Sequence, residues 1–308
     1  MDKIKYNKDI GLVTPVMIAG WPGMGSVALG VVDYLQKKLN AVKFAEIEVD
    51  PLAVMDSVTV TRGVAAFGPT PKNLFFYTKK PDIIIFKGEA QLAGQEGILL
   101  LEKVLDVAEK FNVKRVYTGA AFPLPVSHKE TPLVYSAVNH KNMKEPFMKS
   151  GLNPMDSGHI SGLNGLVLGF AGKRNMEAAC LLATMPQYAI SLPNPKASLA
   201  IIEILQKIVG FKVSLAELNE HIKDMDEKMA IIEEKVKDVM AIETKEPEPH
   251  TSQNKKIVPP YVMDRIEKLF NEAAGDKAKA ILLKSELDRW DLYKIYEDRF
   301  LDLFSENQ

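Results

Sequence analysis

The stretch VTPVMIAGWPGMGSVALG, residues 13–30, decides the fold. It opens on an apolar run, Val16 to Ala19, of strand length. It breaks at Gly20-Trp21-Pro22-Gly23-Met24-Gly25, then resumes at Ser26 with Val27, Val31, Tyr34 and Leu35 on one helical face. The reading is a buried strand, a tight glycine turn and an amphipathic helix. In open α/β sheets, ligands or partners sit just beyond the carboxyl end of such a strand.

The neighbouring segments repeat the alternation. Val42 to Val49 alternates as a second strand closed by Asp50-Pro51. Ser57–Thr61 and Leu74–Tyr77, around Gly68-Pro69-Thr70-Pro71, are short β-rich runs that suit an antiparallel excursion. Ile83–Phe86 is continuously apolar, as a strand covered on both faces should be. A helix from about Gln95 to Phe111 precedes a strand at Arg115–Thr118 and the segment Gly119-Ala120-Ala121-Phe122-Pro123. The predicted class is therefore α/β, a single, mostly parallel sheet flanked by helices. Pro123–Gly158 reads as irregular. The glycine loop Gly158–Gly165 leads into the apolar run Leu166–Phe170, a helix is expected near Asn175–Ala179, and a strand at Cys180–Thr184. Asn194-Pro195 fits an N-cap and N1 pair, and Gly210 closes that helix.

The clearest periodicity lies further on. Ser214 and Glu217 form an S-x-x-E capping box. Leu215, Leu218, Ile222, Met225, Met229, Ile232, Val236 and Val239 then recur at spacings of three and four. This is a heptad seam, flanked by charged residues, that needs either packing on its own domain or a partner helix. Residues 244–260 are polar and proline-rich, a linker. Residues 261–308 read as a helical tail whose last helix carries Trp290, Tyr293, Phe300 and Phe304, too apolar to be buried within so short a segment alone. The expected units are 1–213, 214–243, 244–260 and 261–308.

Composition narrows the classes. The 308 residues carry a formal net charge of -1, which argues for neither a nucleic-acid nor a membrane partner. No apolar run reaches the ~18 residues of a bilayer span, and the N-terminus lacks a signal core. Cys180 is the single cysteine, so a reducing, cytoplasmic setting and an inert buried thiol are expected.

Candidates for chemistry are few. Gly23, Gly25 and Ser26, followed by Val27-Ala28, fit G-x-G-x-x-A, with Glu46, Glu48 or Asp50 as a ribose acid; the alternative is a plain strand-to-helix turn. Glu89 and Gln91 follow a central strand, where Glu89 suits acid–base work or helix capping. His128, His140 and His159 lack metal-site spacing and read as loop histidines; no metal or cofactor is expected. P-loop and G-x-S-x-G motifs are missing.

The segments GWPGMGSVA, FKGEAQ, GAAFP, GHISGLNGLVLGF and LLATMPQYAISLPNPKASLAIIEILQKIVGF, taken together over about Leu12 to Met240, resemble the PAC2 family, relatives of eukaryotic proteasome assembly chaperone 2. The resemblance implies a nucleoside-phosphorylase-like sheet, homo-oligomers, and binding to proteasome α subunits without catalysis. The central domain would present loops around Trp21, Glu89 and Phe122, and the seam would pair or dock. A phosphorylase- or ligase-like enzyme using the Gly23–Gly25 loop is the alternative. Some relatives end in a hydrophobic-Tyr-X tail; this chain ends Phe304-Ser305-Glu306-Asn307-Gln308.

Overall fold

The computed structural model describes residues 3–49, 58–244, 260–273, 277–290 and 292–303. These fall into two units, 1–244 and 245–308, each considered by itself.

The first unit begins with β1 (Lys3–Tyr6), β2 (Val16–Gly20), α1 (Val27–Lys38) and β3 (Val42–Glu48). A small ribbon, β4 (Thr59–Thr61) and β5 (Val64–Ala66), precedes β6 (Asn73–Lys79) and β7 (Asp82–Gly88). Then come α2 (Gly94–Lys110), β8 (Arg115–Leu124), β9 (Val134–Val138), α3 (Lys144–Lys149) and β10 (Asn153–Pro154). The unit ends with α4 (Leu163–Lys173), β11 (Glu177–Pro186), α5 (Pro195–Leu205) and α6 (Ala216–Thr244).

One nine-stranded sheet has the order β1-β3-β6-β7-β2-β8-β11-β9-β10. Its centre, β7-β2-β8-β11, is parallel. Within this sheet β1/β3, β3/β6, β6/β7 and β9/β11 are antiparallel, half of the pairings among its described strands. The sheet is thus mixed, correcting the mostly parallel expectation. The local cause is visible between Lys79 and Asp82, which pair across the two-residue connection Lys80-Pro81. A connection that short joins only antiparallel strands. Leu74–Tyr77 therefore belongs to the main sheet, and only β4–β5 is an excursion.

Alternate residues of the central strands feed two cores. Met17, Ala19, Ile84 and Phe86 join the side of α2 and α4. Ile18, Ile83 and Ile85 join the side of α1 and α5. The run Ile83–Phe86 is buried throughout because helices cover both faces.

Two boundaries depart from expectation. The helix foreseen at Asn175–Ala179 is instead α4, over the apolar run before it, and β11 starts at Glu177. β8 continues through the segment 119–123 to Leu124, paired with β11 as far as Leu124↔Pro186, so the strand is longer than the Arg115–Thr118 expected. Asn194 caps α5 as expected, its side chain accepting from the Ala197 N–H at 2.9 Å. The Ser214–Glu217 box does not close. Glu217 turns instead to Lys37 and Lys38, at 2.8 and 2.5 Å.

The second unit holds α7 (Pro260–Ala273), α8 (Lys277–Arg289) and α9 (Tyr293–Asp302). Ile266, Phe270, Leu283, Leu287 and Phe300 make its own core, with Trp290 and Tyr293 packed against it. The aromatic stripe is thus shared among the tail's helices, against the expectation that the tail could not house it; Phe304 lies outside the described residues. Residues 245–259, most of the predicted linker, also lie outside them.

Candidate functional face at the carboxyl edge of the sheet

β2 and β7 end together, Gly20 opposite Lys87, and the turn 21–26 leaves from there. Trp21 is not a presented side chain, as had been expected: it is fully buried, 4.9 Å from Phe86. Its N–H donates to Asn164 Oδ1 at 3.0 Å, and its carbonyl accepts from Asn164 Nδ2 at 3.1 Å. The Thr118 hydroxyl donates to the Asn164 carbonyl at 2.7 Å, locking α4 to β8 and to the turn. Gly88 is glycine because a Cβ there would stand 2.4 Å from Trp21 Cδ1.

The glycine turn is knitted into the protein. Gly25, at φ +64°, is in left-handed backbone, where a side chain would be strained. Its N–H donates to the Ile190 carbonyl at 2.7 Å, and the Ser26 N–H to the Gly23 carbonyl at 3.0 Å. These amides, which a phosphate would need, already have acceptors. The ribose-acid geometry is also wrong, since β6 and β7 separate β3 from β2. Glu46 hydrogen-bonds Lys43 and Glu48 hydrogen-bonds Lys5; Asp50 lies outside the described residues.

The remaining ligand candidates do not converge. Gly23 and Gln91 line a cleft of about 340 Å³ with Met24, Phe122, Met155 and His159. Gly25 and Ser26 instead border a groove of about 630 Å³ between α1 and α6. Glu89 is in neither: exposed, it accepts from the Lys72 N–H at 3.0 Å while its own N–H donates to the Lys72 carbonyl at 2.9 Å. Among the described residues, no three of the His, Cys, Asp and Glu side chains are grouped to hold a metal ion. Cys180 is fully buried, and burial pushes its thiol up to about 12, against a weaker opposing hydrogen bond with Thr118.

α6 lays its seam on the domain. Leu218 and Met229 are buried, and Leu215 packs against the α1–α5 core. Ile222, Met225, Ile232 and Val236 are half-buried; the Val239 side chain lies outside the described residues. Ile222, Met225 and Met229 enclose a small cavity of about 70 Å³ with Leu124 and Pro186. Lys196 and Asp226 add an ion pair at 2.9 Å.

Beyond the seam is a buried clasp that periodicity did not reveal. Glu233 accepts from the Ser127 hydroxyl at 2.8 Å, the Tyr188 hydroxyl at 2.6 Å and Lys237 Nζ at 2.6 Å. Its Oε2 also lies 2.6 Å from His128 Nδ1. Burial opposes the Glu233 charge most strongly, but the hydrogen bonds of Lys237, Tyr188, His128 and Ser127 together hold the carboxyl well below the usual range. Burial and then this same carboxylate push the Tyr188 phenol well above its ordinary value. His128 lies in the turn after β8, a loop histidine as expected, but it is buried as a partner of Glu233 rather than set at the surface; His140 is half-buried and His159 exposed. The only signal in the sequence was Glu233 lying four residues beyond Met229 on one helical face. Among the described residues, no helix is long and apolar enough to cross a membrane.

The model of the PAC2 family matches residues 17–233. An uncharacterized protein of Methanocaldococcus jannaschii is 26% identical over 226 residues, 71% of this chain and 84% of that one. Among solved structures, Pyrococcus furiosus PbaB, described as an archaeal proteasome activator, has TM-score 0.64 and 25% identity, covering 75% of this chain and 98% of that one. PbaA of the same organism, described as an archaeal homolog of proteasome-assembly chaperone, has TM-score 0.61 and 19% identity, covering 78% and 95%. A Mycobacterium tuberculosis proteasome-assembly chaperone homologue has TM-score 0.58 and 21% identity, covering 70% and 94%.

Proposed function

The chain belongs to the PAC2 family, and from that premise we propose that it is a non-enzymatic, cytoplasmic, proteasome assembly chaperone-like protein. In this reading it self-associates and binds proteasome α subunits. The observation that carries it is the overlay on PbaB, nearly end to end for that protein at 25% identity.

The carboxyl edge supports a binding role over a catalytic one. Its turn is closed by Trp21, Asn164 and Ile190, while Met24 and Ile190 remain exposed beside it. The seam Leu215 to Val239 serves partner contact in this reading. Its first half, through Met229, anchors the helix, and Ile232 and Val236 present the half-buried remainder beside exposed Ile231. The alternative, a nucleotide- or small-ligand-dependent enzyme at Gly23–Gly25, has the cleft beside Gln91 in its favour and the occupied turn amides against it.

Native mass spectrometry of tagged protein, drawn gently from its own cells, tests both. Co-purifying α subunits without a small-molecule adduct are expected. A bare chain carrying a nucleotide-sized mass, lost on Gly25→Val, overturns the chaperone reading.

A further inference from the structure

The cleft that Gly23 and Gln91 line has a definite place in the topology. From β2 the chain crosses by α1, on the side shared with α5, and moves outward to β3, β6 and β7. After β8 it moves the other way, to β9 and β10, and reaches β11 by α4 on the opposite side. β2 and β8 are parallel neighbours. Their carboxyl ends are therefore where the outgoing connections part, and in open α/β sheets that parting leaves a crevice for a ligand. The cleft lies there: Pro22, Gly23 and Met24 follow β2, and Ala120 to Pro123 belong to the last part of β8. Small residues open it. Gly23, Ala28, Ala120 and Ala121 all line it, and a Cβ added at Gly23 would meet only Asn164 Nδ2, at 3.6 Å. Its volume of about 340 Å³ falls within the range of small-molecule sites.

The lining defines the chemistry of what fits. Phe122, Met155, Ile160 and Leu182 make apolar walls, and the exposed Met24 adds a second thioether. A phenyl ring and thioethers suit the face and edge of a flat ring. Among the described residues, no aspartate, glutamate, lysine or arginine lines the cleft. The groove between α1 and α6, by contrast, carries Asp33, Lys37, Glu217, Asp224 and Lys228. A phosphate or carboxylate in the cleft would give up water without gaining a counter-charge. Three polar side chains complete the lining, Gln91, His159 and Ser161, and among the described residues none of the three has a hydrogen-bond partner. The Gln91 amide lies across the start of α4, where Gly162 leaves room for it: a Cβ on Gly162 would stand 1.8 Å from Gln91 Nε2. A side-chain amide offers a donor and an acceptor side by side, the complement of another amide.

We infer that this cleft binds an uncharged small molecule, a flat ring bearing an amide edge, with the ring against Phe122 and Met155 and the edge on Gln91 and Ser161. The site lies apart from the occupied Gly25 amide, and its uncharged lining gives a nucleotide's phosphates no partner. It involves no catalysis and stands independently of the chaperone reading.

Benzamide, benzoate and benzylamine carry the same ring with a neutral, an anionic and a cationic group, so they probe the assignment directly. In ligand-observed saturation-transfer NMR with the full-length chain, benzamide should bind with a Kd of about 1 mM, in keeping with its small size. Benzoate and benzylamine should each bind roughly tenfold more weakly. In methionine-methyl spectra, benzamide should shift Met24 and Met155 and leave Met225, which lines the groove between α1 and α6, unmoved. Gln91 is exposed, so Gln91→Leu should keep the wild-type melting temperature while weakening benzamide about tenfold. Benzoate or benzylamine binding as tightly as benzamide overturns the uncharged site. Shifts at Met225 in place of Met24 and Met155 overturn the cleft as its location, and an unchanged benzamide affinity in Gln91→Leu overturns the amide edge. Saturation transfer to none of the three compounds overturns the site altogether.

Discussion

The α6 seam and the β4–β5 ribbon are both strongly patterned apolar surfaces, yet the fold treats them in opposite ways. The seam reads as the more self-sufficient partner site, with eight apolar positions at heptad spacing. Leu218 and Met229 are nevertheless buried by the chain's own α1–α5 layer and the ends of β8 and β11. The ribbon reads as a minor excursion, and Val58, Val60 and Phe67 on it are 51%, 63% and 62% exposed. Periodicity identifies which side of an element avoids water; it does not say which surface arrives to cover it.

The contrast has measurable consequences. The largest is expected from Met229→Asp, which places a charge in an enclosed apolar contact and should lower domain stability by about 4 kcal/mol. Urea unfolding checks this, and an unchanged midpoint would show that the helix is not held against the domain. Next is Glu233→Gln, which keeps the shape of the clasp but removes the charge that four donor groups face. A loss of about 2 kcal/mol is expected. Circular dichroism melts should register it, and an unaltered melt would remove the clasp from the account of α6 docking.

Acidity probes the same clasp more gently. The folded carboxyl of Glu233 lies below its ordinary value of 4.5, so its contribution is complete above pH 4.5 and declines as pH falls toward the folded value. Glu217, hydrogen-bonded by Lys37 and Lys38, is lowered to about 2 and acts in the same direction. Stability should therefore be flat from these groups between pH 5 and 7 and should fall below pH 4.5, with the gap between wild type and Glu233→Gln narrowing there. A gap that is constant with pH would contradict an ionised Glu233. The smallest stability effect belongs to the ribbon: Val60→Asp sits in solvent in the isolated chain and should shift unfolding by less than about 0.5 kcal/mol. A larger shift in dilute, monomeric protein would mean that the ribbon packs on its own domain.

Much of the central architecture was legible. The strand, glycine turn and helix of residues 13–38 lie where hydrophobic spacing puts them, because each element satisfies its own period. Ile83–Phe86 reads as doubly covered and is. The sheet's mixed character was available only in the Lys80-Pro81 connection, a local constraint outweighed by the overall alternation of strands and helices. The site was less legible. Gly23, Gly25, Ser26, Glu89 and Gln91 lie near one edge in sequence logic, yet Gly23 and Gln91 line a cleft, Gly25 and Ser26 border a groove, and Glu89 pairs with the Lys72 backbone in a loop. A short motif specifies backbone shape, whereas the acceptor that occupies the Gly25 amide is the Ile190 carbonyl, and the group that holds the preceding Trp21 is Asn164, both far along the chain.

The sequence by itself determined the α/β class, the covered central strands, the long helix after residue 214 and, through motif conjunction, membership of the PAC2 family. Each is a property of local period or of residues in order. Only the tertiary structure decided that Trp21 is an internal wedge, that Glu233 is clasped by Ser127, His128 and Tyr188, and that the seam is spent largely at home while the ribbon is not. Those outcomes depend on which distant surfaces meet, and long-range contact is set by the packing of the whole core, which no single stretch encodes.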